Sequence, residues 1–140
     1  ENILSKNKYF MFTYGDGLSN IDIDKLLKSH IRSKKITTLS CVRPPARFGY
    51  LKFKGNDVID FKEKKQIDSG WINGGFFVSD KRIFKYIYND NTILERDTLE
   101  KLALLKELNA FKHRGFWQCV DTLRDKEYLD NISKKILYLK

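Results

Sequence analysis

The chain has 140 residues, 41% of them apolar and 14% aromatic, which is one domain's length with enough apolar material for a core and excludes a disordered tail. Its formal net charge is +9, but the lysines fall in short clusters, Lys34-Lys35, Lys62-Glu63-Lys64-Lys65 and Lys134-Lys135, separated by acidic residues. Such a charge attracts nucleic acid, acidic lipid and phosphorylated small molecules alike, so it selects no partner by itself.

The longest apolar runs, such as Tyr9 to Phe12 and Phe76 to Val78, fall far short of the ~20 residues that cross a bilayer, and no signal-peptide pattern opens the chain. A cytoplasmic protein without a membrane partner is the expectation. Cys41 and Cys119 lie in apolar, strand-like contexts with no metal-ligand spacing, the pattern of reduced, buried thiols.

In chain order, Tyr9 to Thr13 reads as a buried strand that breaks at Gly15-Asp16-Gly17, which leaves Asp16 at its C-terminal end. Ile23, Leu26, Leu27, His30 and Ile31 recur at helical spacing, with Asn20 or Asp22 as N-cap, and predict a helix over about 22–33. Ile36 to Val42 follows as a strand, so the three elements form a βαβ unit with its parallel strand ends on one sheet edge. Beyond Pro44-Pro45, a hairpin pairs Tyr50 to Phe53 with Val58 to Glu63 around Gly55-Asn56-Asp57. Trp71 to Ser79 is a further strand, and Asp80 starts a helix with Ile83, Phe84 and Ile87 inward. Asp97-Thr98-Leu99-Glu100 has the form of a capping box ahead of a Leu-rich helix reaching Asn109. Strands at Ala110 to His113 and Phe116 to Val120 come next, and Thr122-Leu123-Arg124-Asp125 opens the last helix. The fold class is α/β.

Asp16 and Asp121 both stand where a strand gives way to a loop or helix, and two such carboxylates could share one cation. Magnesium takes hard oxygen ligands, commonly one or two carboxylates completed by substrate phosphates. Taken alone, an Asp beside Gly is a turn former. His30 and His113 have no metal-ligand spacing and read as structural; Trp71 and Trp117 suit either the core or a sugar face.

The segments around these residues are Tyr14-Gly15-Asp16-Gly17, Arg43-Pro44-Pro45-Ala46-Arg47-Phe48-Gly49, Phe61-Lys62-Glu63-Lys64, Gly70-Trp71-Ile72-Asn73-Gly74-Gly75-Phe76-Phe77-Val78, and Gly115-Phe116-Trp117-Gln118 ahead of Asp121-Thr122-Leu123-Arg124-Asp125-Lys126. In order and spacing they resemble the glucose-1-phosphate cytidylyltransferases, a branch of the sugar nucleotidyltransferases, over nearly the whole chain. The resemblance implies that residues 1–140 are the sugar- and metal-binding C-terminal portion of a Rossmann-like, GT-A-like nucleotidyltransferase domain with a mixed sheet. It implies a reaction joining glucose 1-phosphate to CTP, with CDP-glucose and pyrophosphate as products, in bacterial dideoxysugar and O-antigen synthesis.

By the same resemblance Asp16 and Asp121 hold Mg2+, and Gly15 lets the nucleotide sugar approach the main chain. Glu63 meets the glucose hydroxyls and Lys64 the sugar phosphate, with Lys64 counted among the catalytic residues. Gly49, Asn73, Gly74 and Trp71 shape the sugar pocket, Arg47 stands near a phosphate or a neighbouring subunit, Glu95 lies at the pocket rim without a catalytic role, and the family forms homo-oligomers. The family's Gly-rich nucleotide loop has no counterpart in these residues, so this stretch is expected to be inactive by itself. Lys65, Leu94 and Cys119-Val120 depart from the family pattern and leave open glucose against another hexose and CTP against UTP or dTTP. The other class of reading is a basic nucleic-acid-binding α/β module, but the aromatics lie in strand-like runs rather than on a Lys/Arg face. No nucleic-acid partner is therefore expected.

Overall fold

The computed structural model describes residues 4–44, 49–62 and 70–137. A single 3-10 turn, Leu4–Lys6, leads into β1 (Tyr9–Thr13), where alternation sends Phe10 and Phe12 to one face of the sheet and Tyr9 to the other. The Gly15-Asp16 turn leads to the short β2 (Gly17–Ser19) and then to α1 (Ile23–Ser33). Of the two possible N-caps Asp22 is the one used, accepting from the Lys25 amide at 2.9 Å. Lys34 ends the helix in a left-handed conformation, φ 58°.

After β3 (Thr37–Val42) comes a hairpin, β4 (Tyr50–Lys54) and β5 (Asp57–Lys62), turning through Gly55 at φ +60°. The longest strand, β6 (Ile72–Asp80), passes into a 3-10 helix, Lys81–Tyr86, whose first turn is capped by Asp80. A widened, π-type turn, Leu94–Leu99, runs into α2 (Glu100–Leu104), followed by β7 (Leu108–Lys112), β8 (Trp117–Cys119) and α3 (Leu123–Leu137).

The main sheet has the order β1-β6-β3-β7. β6 runs antiparallel to β1 and β3, and β7 parallel to β3. The βαβ unit is therefore present, with β6 inserted between its two parallel strands. β1, β3 and β7 all end at one edge, where β6 begins. That edge carries the site described below.

Both faces of the sheet are covered, which is why β6 is buried along most of its length rather than alternating. On the α1 face Ile21 and Leu26 pack on Val78, with Tyr9, Phe76 and Phe111 around them. On the other face Ile36, Ile83 and Leu102 join Phe10, Phe12 and Leu108. Phe12 stacks on Phe77 at 4.6 Å and Phe10 on Phe84 at 5.5 Å.

Three expectations fail in the second half. The chain is already helical from Leu94, and the Asp97 carboxylate reaches back to the Ile93 amide at 2.7 Å, while the Thr98 hydroxyl donates to the Tyr86 carbonyl at 2.9 Å. These residues brace the preceding turn instead of opening a new helix. The helix then stops at Leu104, since Lys106 adopts φ 58° and the Glu107 amide donates to the Leu102 carbonyl at 2.8 Å. Leu108 and Asn109, expected to end that helix, instead begin β7, which runs on through the strand expected from Ala110 and pairs with β3. Ile87, expected inward, is exposed because the helix after Asp80 winds as a 3-10 helix and ends at Tyr86.

Candidate active site

Asp16 stands exposed in the turn after β1, and its backbone is fixed from the other end of the chain. β2 pairs with β8, Gly17 opposite Cys119, and the Val120 amide donates to the Asp16 carbonyl at 2.9 Å. This ladder sets Asp16 and the segment carrying Asp121 on neighbouring strand ends. Asp121 is also exposed, and its carboxylate accepts from the Cys119 thiol at 3.1 Å.

Immediately after Asp121 the expected capping box is formed. The Asp125 carboxylate accepts from the Thr122 amide at 3.0 Å, and the Thr122 hydroxyl accepts from the Asp125 amide at 3.2 Å. The Gln118 amide group donates to the same Asp125 carboxylate at 3.1 Å, tying α3 to β8. Asp121 is thus pinned on both sides.

Among the described residues no three His, Cys, Asp or Glu side chains gather as a closed metal site. Two hard carboxylates at an open turn fit a divalent cation that keeps positions for water and substrate phosphates, as magnesium does.

Beside Asp16, the Tyr14 hydroxyl donates to the Glu95 carboxylate and accepts from the Asn73 side-chain amide at 3.2 Å. The Asn73 carbonyl in turn accepts from the Gly75 amide at 2.9 Å. Burial, reinforced by Glu95, pushes the Tyr14 phenol up to about 12. Tyr14 and Glu95 therefore belong to the architecture of the site, a connection the sequence does not display because 81 positions separate them.

Asn73 and Gly74 lie at a bulge. Leu39 faces Phe77 but Cys41 faces Asn73, so β6 carries extra residues opposite Ser40. Gly75 has φ +78° there, and the Tyr14 ring closes over it. A Cβ on buried Gly74 would meet the Ser40 hydroxyl at 2.7 Å and a Val42 methyl at 2.8 Å, so the glycine accommodates β3. Its carbonyl accepts from the Trp117 indole at 2.9 Å. By contrast, a Cβ on Gly15 would meet no protein atom within 4 Å, so protein packing does not require a glycine at this turn. Gly49 is exposed just before β4. Glu63 and Lys64, together with Arg47, lie outside the described residues.

The same edge holds a cluster that the sequence reading passed over. Arg43 after β3, Lys112 at the end of β7 and Arg114 beyond it stand 5.1, 5.5 and 6.0 Å from the Trp71 ring centre. A recess of about 180 Å³ is lined by Arg43, Trp71, His113, Arg114 and Gly115. The available signal was positional: each cation ends or follows a strand parallel to β1, and such ends share one edge. His113 lines that recess with its ring held by the Phe116 carbonyl at 3.1 Å, whereas His30 lies at the opposite end of the sheet and takes no part in this site.

This geometry can be set beside known proteins. Residues 1–125 match the family model described as nucleotidyl transferase. The glucose-1-phosphate cytidylyltransferase of Salmonella typhimurium is 45% identical over 126 residues, covering 90% of this chain and 49% of the relative. The probable glucose-1-phosphate cytidylyltransferase of Bacillus subtilis is 38% identical over 117 residues, 83% of this chain and 46% of the relative. The chain thus spans about half the length of these curated relatives. Among solved structures, HddC from Yersinia pseudotuberculosis superposes with a TM-score of 0.61 at 22% identity, over 88% of this chain and 54% of that one. These matches agree with the mixed α/β sheet and its strand-end carboxylates: the chain belongs to the nucleotidyl transferase family.

Proposed function

We propose that the complete gene product transfers the cytidylyl group of CTP to α-D-glucose 1-phosphate, forming CDP-glucose and pyrophosphate. The observation that carries this reading is the 45% identity to a glucose-1-phosphate cytidylyltransferase across 90% of the chain. A phosphate oxygen of the sugar phosphate attacks the α-phosphorus of CTP, a new P–O bond forms, and the bond to the departing pyrophosphate breaks. Little covalent work falls to the protein, so catalysis is positional and electrostatic.

Asp16 and Asp121 would hold Mg2+. When bound, the cation supplies positive charge to the phosphate oxygens as negative charge shifts to the leaving pyrophosphate. Gly15 keeps the turn bare where substrate approaches, and the cations Arg43, Lys112 and Arg114 favour an anionic substrate at this edge. Asn73, anchored on the Gly75 amide and Tyr14, offers a side-chain amide beside the turn. Trp71, Gly49 and Gly74 would complete the sugar pocket, with Glu63 on the glucose hydroxyls and Lys64 on the sugar phosphate.

A cytoplasmic role in O-antigen sugar synthesis and a homo-oligomeric state belong to the same reading. The exposed apolar residues of the β4–β5 hairpin, Phe53, Ile59 and Phe61 among them, support the oligomer. Among the described residues no helix is long and apolar enough to cross a membrane.

The test is pyrophosphate release by the complete gene product with glucose 1-phosphate and CTP, UTP or dTTP in turn. Turnover with CTP at least tenfold above the others is expected. Turnover with dTTP or UTP but not CTP would remove the cytidylyl assignment.

A further inference from the structure

At the end of β1 one tyrosine joins three separate stretches of chain. The Tyr14 amide donates to the Gly75 carbonyl at 3.1 Å, its ring closes over Gly75, and its hydroxyl reaches Asn73 on β6 and Glu95 on the π-type turn. The ring also stands edge-on to buried Phe77, 5.4 Å between centres. Backbone and ring hold Tyr14 in place without help from the hydroxyl. The oxygen is left with a separate task.

That oxygen belongs to a chain of hydrogen bonds whose direction is fixed at both ends. The Gly75 amide can only donate, so the Asn73 atom facing it at 2.9 Å is the carbonyl Oδ1. The Nδ2 group is thereby turned toward Tyr14, whose oxygen has to accept at 3.2 Å. It can accept because its own proton is committed to Glu95, a carboxylate that only accepts. Reversing the Asn73 amide would set Nδ2 against the Gly75 N–H and Oδ1 against an oxygen with no proton to give. Glu95 itself comes from a braced segment: Thr98 ties the π-type turn to the Tyr86 carbonyl and Asp97 ties it to the Ile93 amide. Such widened turns are rare and recur at functional sites.

Tyr14 takes one of the two Nδ2 hydrogens, and among the described residues the other meets no acceptor. We propose that Tyr14 is a positioning residue for sugar recognition: with its proton given to Glu95, it locks the Asn73 amide so that the remaining Nδ2 hydrogen donates to a hydroxyl oxygen of the sugar 1-phosphate. This role rests on the reading of the site as one for nucleotidyl transfer to a sugar 1-phosphate. The last torsion of an asparagine is broad, so the bond to Gly75 alone leaves the amide plane free to rock, and the bond to Tyr14 fixes it. A donor already held in place binds its acceptor with less ordering cost. The gain falls on the sugar phosphate rather than on the nucleotide.

The test is a double-mutant cycle in the complete gene product, pairing Tyr14→Phe with Asn73→Ala. It reads KM and kcat/KM for glucose 1-phosphate, or for whichever sugar 1-phosphate the wild type turns over, and KM for CTP. Phenylalanine keeps the ring contacts with Gly75 and Phe77 and the main-chain bond to Gly75. Tyr14→Phe is expected to raise KM for the sugar phosphate at least fivefold and to leave KM for CTP within twofold of wild type. In the Asn73→Ala background the same substitution is expected to change kcat/KM for the sugar phosphate less than twofold. Glu95→Ala, at an exposed side chain, is expected to raise that KM at least threefold, again only while Asn73 is present. Independent, multiplicative effects of the paired substitutions, a KM unmoved by Tyr14→Phe or by Glu95→Ala, or equal rises in KM for both substrates would overturn the proposal. A wild-type enzyme that turns over no sugar 1-phosphate with any nucleotide would overturn the underlying reading, and the proposal with it.

Discussion

Gly74 and Gly15 stand close to the same proposed pocket for opposite physical reasons, and alanine separates them. At Gly74 the new methyl would lie 2.7 Å from the Ser40 hydroxyl, 2.8 Å from a Val42 methyl and 3.3 Å from the Ser40 carbonyl. Val42 is 1% exposed, and the Ser40 hydroxyl is engaged by the Phe76 amide at 3.2 Å, so neither neighbour yields freely. Overpacking of this kind costs about 1–3 kcal/mol. For a protein of about twice this length that is a fall of roughly 2–12 °C in Tm. At Gly15 the methyl would meet no protein atom within 4 Å, so stability should stay within about 0.5 kcal/mol of wild type. If substrate occupies that space, kcat/KM should nevertheless drop at least tenfold. Urea denaturation and steady-state kinetics on the two complete variants decide the matter. A Gly74→Ala protein as stable as wild type, or a Gly15→Ala protein destabilised like Gly74→Ala, would refute the reasoning.

The Tyr14 phenol, raised to about 12 by burial and by Glu95, is expected to ionise well after a free tyrosine. Because the fold favours the neutral phenol, its contribution to stability is whole below about pH 10 and is lost as pH rises toward 12. Alkaline spectrophotometric titration should show a late step that Tyr14→Phe removes; an unchanged titration would contradict the Tyr14–Glu95 contact. His30 has the opposite sense. Burial lowers its pKa, so its contribution is complete above about pH 6.5 and is lost as pH falls below that value. Denaturation between pH 7.5 and 5 should show a loss of stability that His30→Gln flattens, and equal slopes in both proteins would count against a neutral His30.

Local signals carried much of the fold. The Asp22 cap, the Thr122–Asp125 box, the Gly55 turn and the alternation of β1 are nearest-neighbour effects, written where they act. What escaped was decided by distant partners. β6 slots between β1 and β3 because its residues can be buried on both faces, which no window of sequence reveals. Leu108 and Asn109 continue the helical pattern, yet β3 offers them a ladder, extending the expected strand from Ala110 backward, and Lys106 breaks the helix first. Leu104, read as part of a Leu-rich helix, is 80% exposed. In the site, Asp16 and Asp121 were legible as strand-end carboxylates. The Tyr14–Glu95–Asn73 network and the cations around Trp71 were not, since each joins residues from separate strand ends or loops.

The central claim is that Asp16 and Asp121, set on adjoining strand ends by the β2–β8 ladder, act together as carboxylates in a nucleotidyl transfer site. Asp121→Asn preserves shape and removes one charge, so Tm should hold within about 2 °C, consistent with an exposed side chain. The direct measurement is the rate of pyrophosphate release from CTP and glucose 1-phosphate by that variant of the complete gene product at fixed magnesium. A fall of at least a hundredfold in kcat, about 2.7 kcal/mol of transition-state stabilisation, is predicted. A rate close to wild type under the same conditions would contradict it.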